Sequence, residues 1–294
     1  MSFQIDTALV QTYKSNIEIQ FQQMGSRLRP YVRQESQKAE FDFYDRIGPV
    51  DAVEVTTRHG DTPLISTPHD RRRVALRDFD WADLIDNKDK LRMLADPTSS
   101  YVQNAVMALG RKMDDVIIEA AFGTAYSGKT GSTSVSFAAG SEVAVNYVES
   151  GTAQNSNLTI GKLRRARYLL DAAEASEDML IAVVGPSQIQ SLLRTTEVTS
   201  SDYNTVKALV AGEIDTFMGF KFVKSNRLTV ASSIRSCILF AKQGLLLSSA
   251  QEINVDVGPR RDKRNSVQAY ACASFGASRM WEEKVLRVKC DETV

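Results

Sequence analysis

DPTSSYVQNAVMALGRKMDDVIIEAAFG, residues 96–123, is the stretch on which the fold turns. Asp96-Pro97 is a helix-start signal, because proline's fixed φ suits the first helical position, where an N–H would lack a partner anyway. Behind it Val102, Ala105, Val106, Leu109, Met113, Val116, Ile117 and Ala120 recur at three- and four-residue spacing, one apolar stripe of a helix. Gly123 then offers the left-handed conformation that closes helices. The spacing predicts a helix of about 25 residues and about 37 Å, roughly twice the ordinary length. A helix that long is a spine on which other parts are hung.

On its N-terminal side, Phe41–Ile47 and Ala52–Thr57 alternate as strands do, and so does Arg71–Trp81. Between them lie Arg58-His59-Gly60-Asp61-Thr62-Pro63 and Ser66-Thr67-Pro68-His69-Asp70, rich in turn formers. This reads as a long hairpin with an irregular tip. In its second run Arg73, Ala75, Arg77 and Phe79 alternate with Val74, Leu76, Asp78 and Asp80. Charge is plentiful on both faces, so the hairpin is expected to project from the molecule. Residues 1–38 are polar and Gln-rich, with Leu9, Val10, Tyr13, Ile17 and Phe21 at helical spacing. That apolar load is too thin for a core, and an arm laid on another surface fits it better.

On the C-terminal side, residues 123–158 are rich in Gly, Ser and Thr, with short strand-like pieces at Ser134–Ala138 and Ala144–Val148. A helix is expected from Thr159, with Ile160, Leu163, Ala166, Leu169, Leu170 and Ala173 on one face. Then come a buried strand (Met179–Val184), short helices (Ser187–Leu193 and Tyr203–Val210) and a strand (Phe217–Val223). A strand at Ile238–Ala241 and a turn or short helix at Leu245–Leu247 complete an α/β or α+β unit at about 158–252. Ile253–Val257 and Ser266–Cys290 read as strand-rich.

The whole chain of 294 residues has room for one large or two ordinary domains at ~100–200 residues each. Its 36 Lys+Arg balance 36 Asp+Glu, which argues against a dedicated nucleic-acid binder. Cys237, Cys272 and Cys290 form no CxxC pair, so neither a zinc ribbon nor a disulfide framework is indicated. The N-terminus has no basic region followed by an apolar run. The longest apolar stretches, such as Met179–Val184 and Gly244–Leu247, fall far short of the ~20 residues of a membrane span. A soluble protein made in the cytoplasm is expected.

Three chemical motifs fail on context. Gly123–Thr130 (GTAYSGKT) matches the phosphate-cradling GxxxxGK[ST] pattern, which needs a buried strand before it and a helix after it. Here a helix leads in, and GSTSVS (131–136), poor helix material, follows. His59 and His69, each near an aspartate (Asp61, Asp70), have the ligand types for a metal, yet no further strong-ligand cluster converges on them. No serine sits in a GxSxG elbow. No catalytic residue, cofactor or metal is therefore expected. Arg71-Arg72-Arg73 reads as an interface or solvated charge cluster.

The layout of arm, projecting hairpin, long helix, inserted α/β unit and returning strands resembles the tailed-bacteriophage major capsid proteins of the HK97 fold, an α+β architecture. The likeness is carried by Asp202–Ile214 (DYNTVKALVAGEI) running into Gly219–Asn226 (GFKFVKSN), and by Ile238–Gly244 (ILFAKQG). The His59–Arg73 region and Trp81–Asp86 (WADLID) are similar to coat proteins of short-tailed phages. The resemblance implies an N-terminal arm at 1–40, an extended E-loop at 41–82 and a peripheral domain with its spine helix at 83–157. It further implies an axial domain at 158–252 and peripheral return strands at 253–294. It implies assembly through hexamers and pentamers into an icosahedral shell around double-stranded DNA, the DNA touched weakly and non-specifically, in the bacterial cytoplasm. Arg58, His59, Asp61, His69, Asp70, Arg71, Arg72 and Arg73 then become candidate inter-subunit contacts. Reversing charge at Arg71–Arg73 is expected to impair shell formation while leaving the subunit folded.

Two departures shape the expectation. No lysine occurs between Lys38 and Lys88, so the E-loop cross-link of some relatives is not implied. The scaffolding segment of about a hundred residues that opens other relatives is absent, which implies a separate scaffolding protein unless that segment was removed. A portal protein and a cement protein are the other partners implied. The alternatives are an encapsulin-like nanocompartment of the same fold and a P-loop nucleotide-binding enzyme.

Overall fold

A computed structural model describes residues 22–85 except 55, 57, 59 and 63, then 98–175, 178–194 and 216–293. The chain divides into two compact units. The smaller is Met1–Ser26, Arg77–Met113 and Gln251–Ser274; the larger is Arg27–Leu76, Asp114–Ala250 and Phe275–Val294. The N-terminal 21 residues of the expected arm, the Asp96-Pro97 helix start, the Tyr203–Val210 helix and the 202–214 motif lie outside the described residues.

The expected spine is present as α1 (Thr98–Phe122), 25 residues long. The Gly123 N–H closes it on the Glu119 carbonyl at 2.8 Å. α2 (Ile160–Ala172) starts where expected, with the Thr159 hydroxyl accepting from the Lys162 N–H at 3.3 Å. α3 is Pro186–Arg194. The strands are β1 (Arg33–Ser36), β2 (Phe41–Ile47), β3 (His69–Ala75), β4 (Arg77–Ile85), β5 (Ala125–Ser127), β6 (Thr133–Val135), β7 (Glu142–Val143) and β8 (Leu180–Val184). They continue with β9 (Thr216–Phe217), β10 (Phe220–Lys224), β11 (Val230–Ala231), β12 (Ile234–Ala241), β13 (Leu245–Arg260), β14 (Ser266–Arg279) and β15 (Val285–Asp291).

Three sheets result. One has the order β1-β13-β14-β4, one the order β2-β3-β5-β6, and the largest the order β7-β15-β12-β8-β10-β9 with β11 on β12. In the largest, β8 and β10 pair in parallel across the connection that holds α3, while β12 pairs antiparallel with both β8 and β15. All five residues of β8 are buried, as a central strand covered on both faces requires. Leu163, Ala166 and Leu170 of α2 are likewise fully buried, with Phe220 and Phe240 from the strands. Burying each large apolar side chain stabilises the unit by about 1.5–3 kcal/mol.

Two buried cations are held by backbone carbonyls. Lys162, on the inner face of α2, donates its three ammonium protons to the carbonyls of Val145, Ser156 and Lys289 at 2.8, 2.6 and 2.9 Å. Burial pushes its pKa down. It fastens the 145–156 loop to β15 from inside. Arg279, also fully buried, donates to the carbonyls of Ala121, Gly123 and Val135 at 2.9, 3.0 and 3.2 Å, a cation placed at the negative end of α1.

Several expectations need correction. Leu245–Leu247 is no turn or short helix: it opens β13, a 16-residue strand whose first four residues are buried. Arg71–Trp81 is not one strand. Leu76 divides it, and β3 and β4 belong to different sheets. Phe217–Val223 is broken by a tight turn at Met218-Gly219, both in left-handed conformation (φ 52 and 81). Of the short pieces, the first is Thr133–Val135 and the second is Glu142–Val143, ahead of the expected Ala144–Val148. No strand forms among the described residues of Ala52–Thr57.

The end of the arm is laid along α1. Within the smaller unit, the Gln22 side chain hydrogen-bonds Asn104 at 2.9 Å and also meets Arg111. Within the larger, the Arg27 and Leu28 N–H groups both donate to the Asp114 carboxylate at 3.1 Å. Gly110 makes the approach possible: a Cβ there would stand 2.6 Å from the Gly25 Cα and carbonyl carbon. Gly110→Leu is therefore expected to lift residues 22–26 off the helix. The check is limited proteolysis, with cleavage at Arg27 at least about tenfold faster than in wild type, since cleavage of an opened segment follows its opening equilibrium. Unchanged cleavage would show that the arm does not depend on this contact.

Candidate inter-subunit surface

The hairpin of β2 and β3 is antiparallel, running in register from Phe41 opposite Ala75 to Ile47 opposite His69. Its root is buried. Val74 joins Leu246 and Met280 in a small core, with Tyr44 and Trp281 packed against it. Gln37 closes the turn below by donating to the carbonyls of Ala39, Glu40 and Val74.

Two arginines clamp this root to the segment 280–282. Arg72 is fully buried; it pairs with Glu282 and reaches the Met280 carbonyl at 3.5 Å. Burial, together with repulsion from Arg46, brings its pKa down to about 10. Arg46 pairs with Asp70 and, at 3.2 Å, with Glu282, and lies over the Trp281 ring at 5.3 Å. Burial raises the Asp70 carboxyl, but hydrogen bonds from Arg46 and from the Arg71 and Gly128 N–H groups more than offset this and hold it below its ordinary value. A carboxyl lowered on folding stabilises above its unfolded pKa and loses that contribution as pH falls through its folded value. Asp70→Asn is accordingly expected to remove about 1 kcal/mol at pH 7, discounted for partial exposure, and to flatten the acid limb of stability below about pH 4. Urea unfolding between pH 2.5 and 7 checks this; parallel profiles for the two proteins would contradict it.

The candidate residues thus separate. Arg71 pairs with Asp45 at 2.6 Å on the surface. Arg73 is half-buried, stacked over Phe41 and Tyr126 at 5.0 and 4.7 Å. Gly131 lies beneath it, where a Cβ would come within 2.6 Å of the Arg73 Cδ. His69 is exposed at the start of β3, and Arg58 and Asp61 are exposed outside any strand; His59 lies outside the described residues. The Arg/Asp pairing read as contact with a neighbour is, for Asp70 and Arg71, formed within the hairpin itself. Arg72 offers no surface at all. Reversing its charge strikes the folded subunit, so the expectation that Arg71–Arg73 can be reversed without loss of folding does not hold for Arg72. Among the described residues no three His, Cys, Asp or Glu side chains come together as a metal group.

The GxxxxGKT match is explained in the same place. Ala125–Ser127 is β5, paired with β3 and β6, and Gly128 (φ +89) and Gly131 (φ +63) turn the chain between β5 and β6. Lys129 lies with Asp45, His69, Asp70, Arg71 and Gly128 around a cavity of about 340 Å³. Among the described residues no helix N-terminus lines it, and the loop is a hairpin turn, not a phosphate cradle.

Beyond the clamp, the described residues of 48–68 form no helix or strand and are almost all exposed. Leu64 is 98% exposed, and Ile47, Val50, Val53 and Ile65 are open to solvent too. These exposed apolar side chains recur along one segment, interspersed with the exposed Asp51, Glu54, Arg58 and Asp61. The sequence reading, attending to charge, passed over these residues.

A sequence profile of the phage capsid protein family matches residues 5–292. No curated protein matches the chain. Many solved structures do. The capsid of the cyanophage P-SCSP1u is 15% identical, with a TM-score of 0.70 over 97% of this chain and 93% of that one. The capsid of cyanophage Pam1 is 13% identical, with a TM-score of 0.70 over 97% of each chain. The acid-stable capsid of Helicobacter pylori bacteriophage KHP30 is 10% identical, with a TM-score of 0.70 over 99% of each. At such identities the likeness is one of fold.

Proposed function

Because the chain belongs to the phage capsid protein family, we propose that it is the major coat subunit of an icosahedral shell, built from hexamers and pentamers around packaged double-stranded DNA. The fold is of the HK97 type, and the protein is a structural component of the virion capsid that associates with its own copies, not an enzyme. The observation that carries the fuller reading is the 48–68 segment: open apolar and charged side chains held out on a hairpin whose root is fixed by buried ion pairs. Such a segment gains by being covered, and identical copies supply the cover. Obligate interfaces bury about 2,000 Å² or more.

The reading assigns residues 1–40 to an arm, 41–82 to the E-loop, 83–157 and 253–294 to the peripheral domain and 158–252 to the axial domain. It places assembly in the host cytoplasm with a separate scaffolding protein, a portal protein at one vertex and, where present, a cement protein. DNA is held by weak, non-specific contact, in keeping with a formal net charge of zero. Electron microscopy and sedimentation of the full chain, alone and co-expressed with candidate scaffolds, test the proposal. Rings, shells or aberrant closed particles are expected. A chain that stays monomeric in every combination would defeat it, and DNA-free native particles filled with one enzyme would redirect it to a nanocompartment.

A further inference from the structure

A cavity of about 750 Å³ opens between the 147–156 loop, the start of α2 and the end of α3, all within the larger unit. Small-molecule sites run from about 300 to 1,000 Å³. Its charged lining is Glu149, Arg164 and Arg194, one cation in excess. Glu149 accepts from the Arg164 Nη1 at 3.0 Å, and its Oε2 lies over the first turn of α2, 3.7 Å from where a Gly161 Cβ would stand. The helix end thus has its anion already, and Arg164 has its counter-ion. Arg194, in the last turn of α3, has no hydrogen-bond or ion-pair partner among the described residues. The excess cation of the cavity is therefore a guanidinium with all its donors open.

Hydroxyl donors share the same space. The Thr159 Oγ1 accepts from the Lys162 N–H at 3.3 Å, which leaves its own proton free to donate, and Ser150 and Thr152 line the cavity with it. Open donors around an unpaired guanidinium suit a group with several acceptor oxygens and a negative charge, and the guanidinium fork matches two oxygens of a phosphate. The volume is far more than a bare ion fills, and Tyr147 with the exposed Val148 gives an organic part something to lie against. We propose that this cavity binds a small phosphate monoester, its phosphate held by Arg194 with Arg164 alongside and its organic part against Tyr147 and Val148. Glu149 sets selectivity. Its carboxylate repels further negative charge, so a monophosphate is preferred to a triphosphate. The inference goes beyond the assembly reading and does not depend on it, because one chain supplies every wall of the cavity.

Calorimetric titration of the full chain tests this, with adenosine 5′-monophosphate, adenosine 5′-triphosphate and uncharged adenosine as probes. The monophosphate should bind with a Kd of ~1 mM or tighter, and adenosine at least about tenfold more weakly, as the loss of a charge-assisted hydrogen bond implies. The triphosphate should bind no more tightly than the monophosphate. Arg194→Gln should weaken the monophosphate at least about tenfold for the same reason. Arg165→Gln is the control. It removes the same charge from the exposed face of α2, where Arg165 stacks over Tyr168 at 5.2 Å and does not line the cavity, and it should leave affinity within about twofold. Arg165 and Arg194 are both exposed, and circular dichroism confirms that each variant folds. No binding of any probe at ~10 mM overturns the proposal, and so does adenosine binding as well as its monophosphate. A triphosphate that binds more tightly, with equal losses in the two variants, reveals diffuse attraction and overturns it too. Retention of a duplex oligonucleotide that depends on Arg194, with no binding of the monophosphate, overturns it in favour of a DNA backbone contact.

Discussion

Replacing Glu282 with glutamine is expected to lower the unfolding free energy of the subunit by about 3–5 kcal/mol, the usual consequence of removing one partner from a buried ion pair. Arg72 is fully buried and its pKa is already drawn down to about 10, first by burial. Its Nη1 finds no hydrogen-bond partner among the described residues, so Glu282 is its main compensation. The same carboxylate serves Arg46 at 3.2 Å, so once it is neutralised Asp70, which pairs with Arg46, is left to offset both cations. Arg72→Met is the informative contrast. It removes the buried charge together with its desolvation cost, and it should be far milder than Glu282→Gln, even neutral. Urea unfolding of the two variants measures both effects. A Glu282→Gln protein within 1 kcal/mol of wild type would mean that the clamp does not hold the hairpin root. If the root does loosen, proteolysis within residues 48–68 should quicken in Glu282→Gln and not in Arg72→Met.

That clamp also marks the limit of what the sequence discloses. Periodicity made α1 and α2 legible because each presents one apolar stripe and Thr159 caps the start of α2; Gly123 follows α1 without the expected left-handed conformation and only bonds back to the Glu119 carbonyl. β8 was legible as an unbroken apolar run. Charge was the obscuring signal. Arg72, within the Arg71–Arg73 run, reads as an interface or solvated charge because a charged side chain defaults to water, yet a register argument was available for it. In an extended strand Arg72 shares its face with Val74, two residues on, and Val74 is core. Lys162 carried no such hint, since its three acceptors come from carbonyls distant in the chain. The break at Leu76 was hidden for a related reason. Alternation continues unbroken from β3 into β4, and only the Leu76 N–H, bonded to the Glu40 carbonyl at 3.0 Å, shows where one sheet ends. The 16 residues of β13 were hidden by their composition, four buried residues followed by a half-exposed polar stretch that reads as separate pieces. Of the candidate charges, Asp70 and Arg71 pair within the hairpin, with Arg46 and Asp45, while the exposed apolar side chains of the segment lie farther out.

A single methyl group at Gly276 is expected to be as damaging as the loss of an ion pair. A Cβ built there stands 2.1 Å from the Ala75 carbonyl oxygen, 3.0 Å from its carbon and 3.3 Å from the Val74 Cγ1. Backbone cannot swing aside as a long side chain does, and this backbone is fixed on several sides. Ala75 is paired with Phe41, Leu76 is bonded to Glu40, and Val74 is packed on Leu246 and Met280. Relief requires β14 to move by most of a van der Waals radius away from the end of β3, where the chain changes sheets. Gly276→Ala should therefore cost about 3–5 kcal/mol, above the 1–3 kcal/mol of ordinary overpacking, and Gly276→Val should not fold. Gly140→Ala and Gly258→Ala are the controls. Nothing lies within 4 Å of a Cβ at either, so both should stay within about 0.5 kcal/mol of wild type. Thermal and urea unfolding of the three alanine variants decide the matter, and a Gly276→Ala protein as stable as the controls would show that β14 is free to shift. The consequence for assembly follows from position. Gly276 touches the root of the projecting hairpin, so whatever β14 does to accommodate a methyl is passed to Ala75 and Val74. A folded Gly276→Ala subunit should accordingly assemble less well than its residual stability alone would suggest.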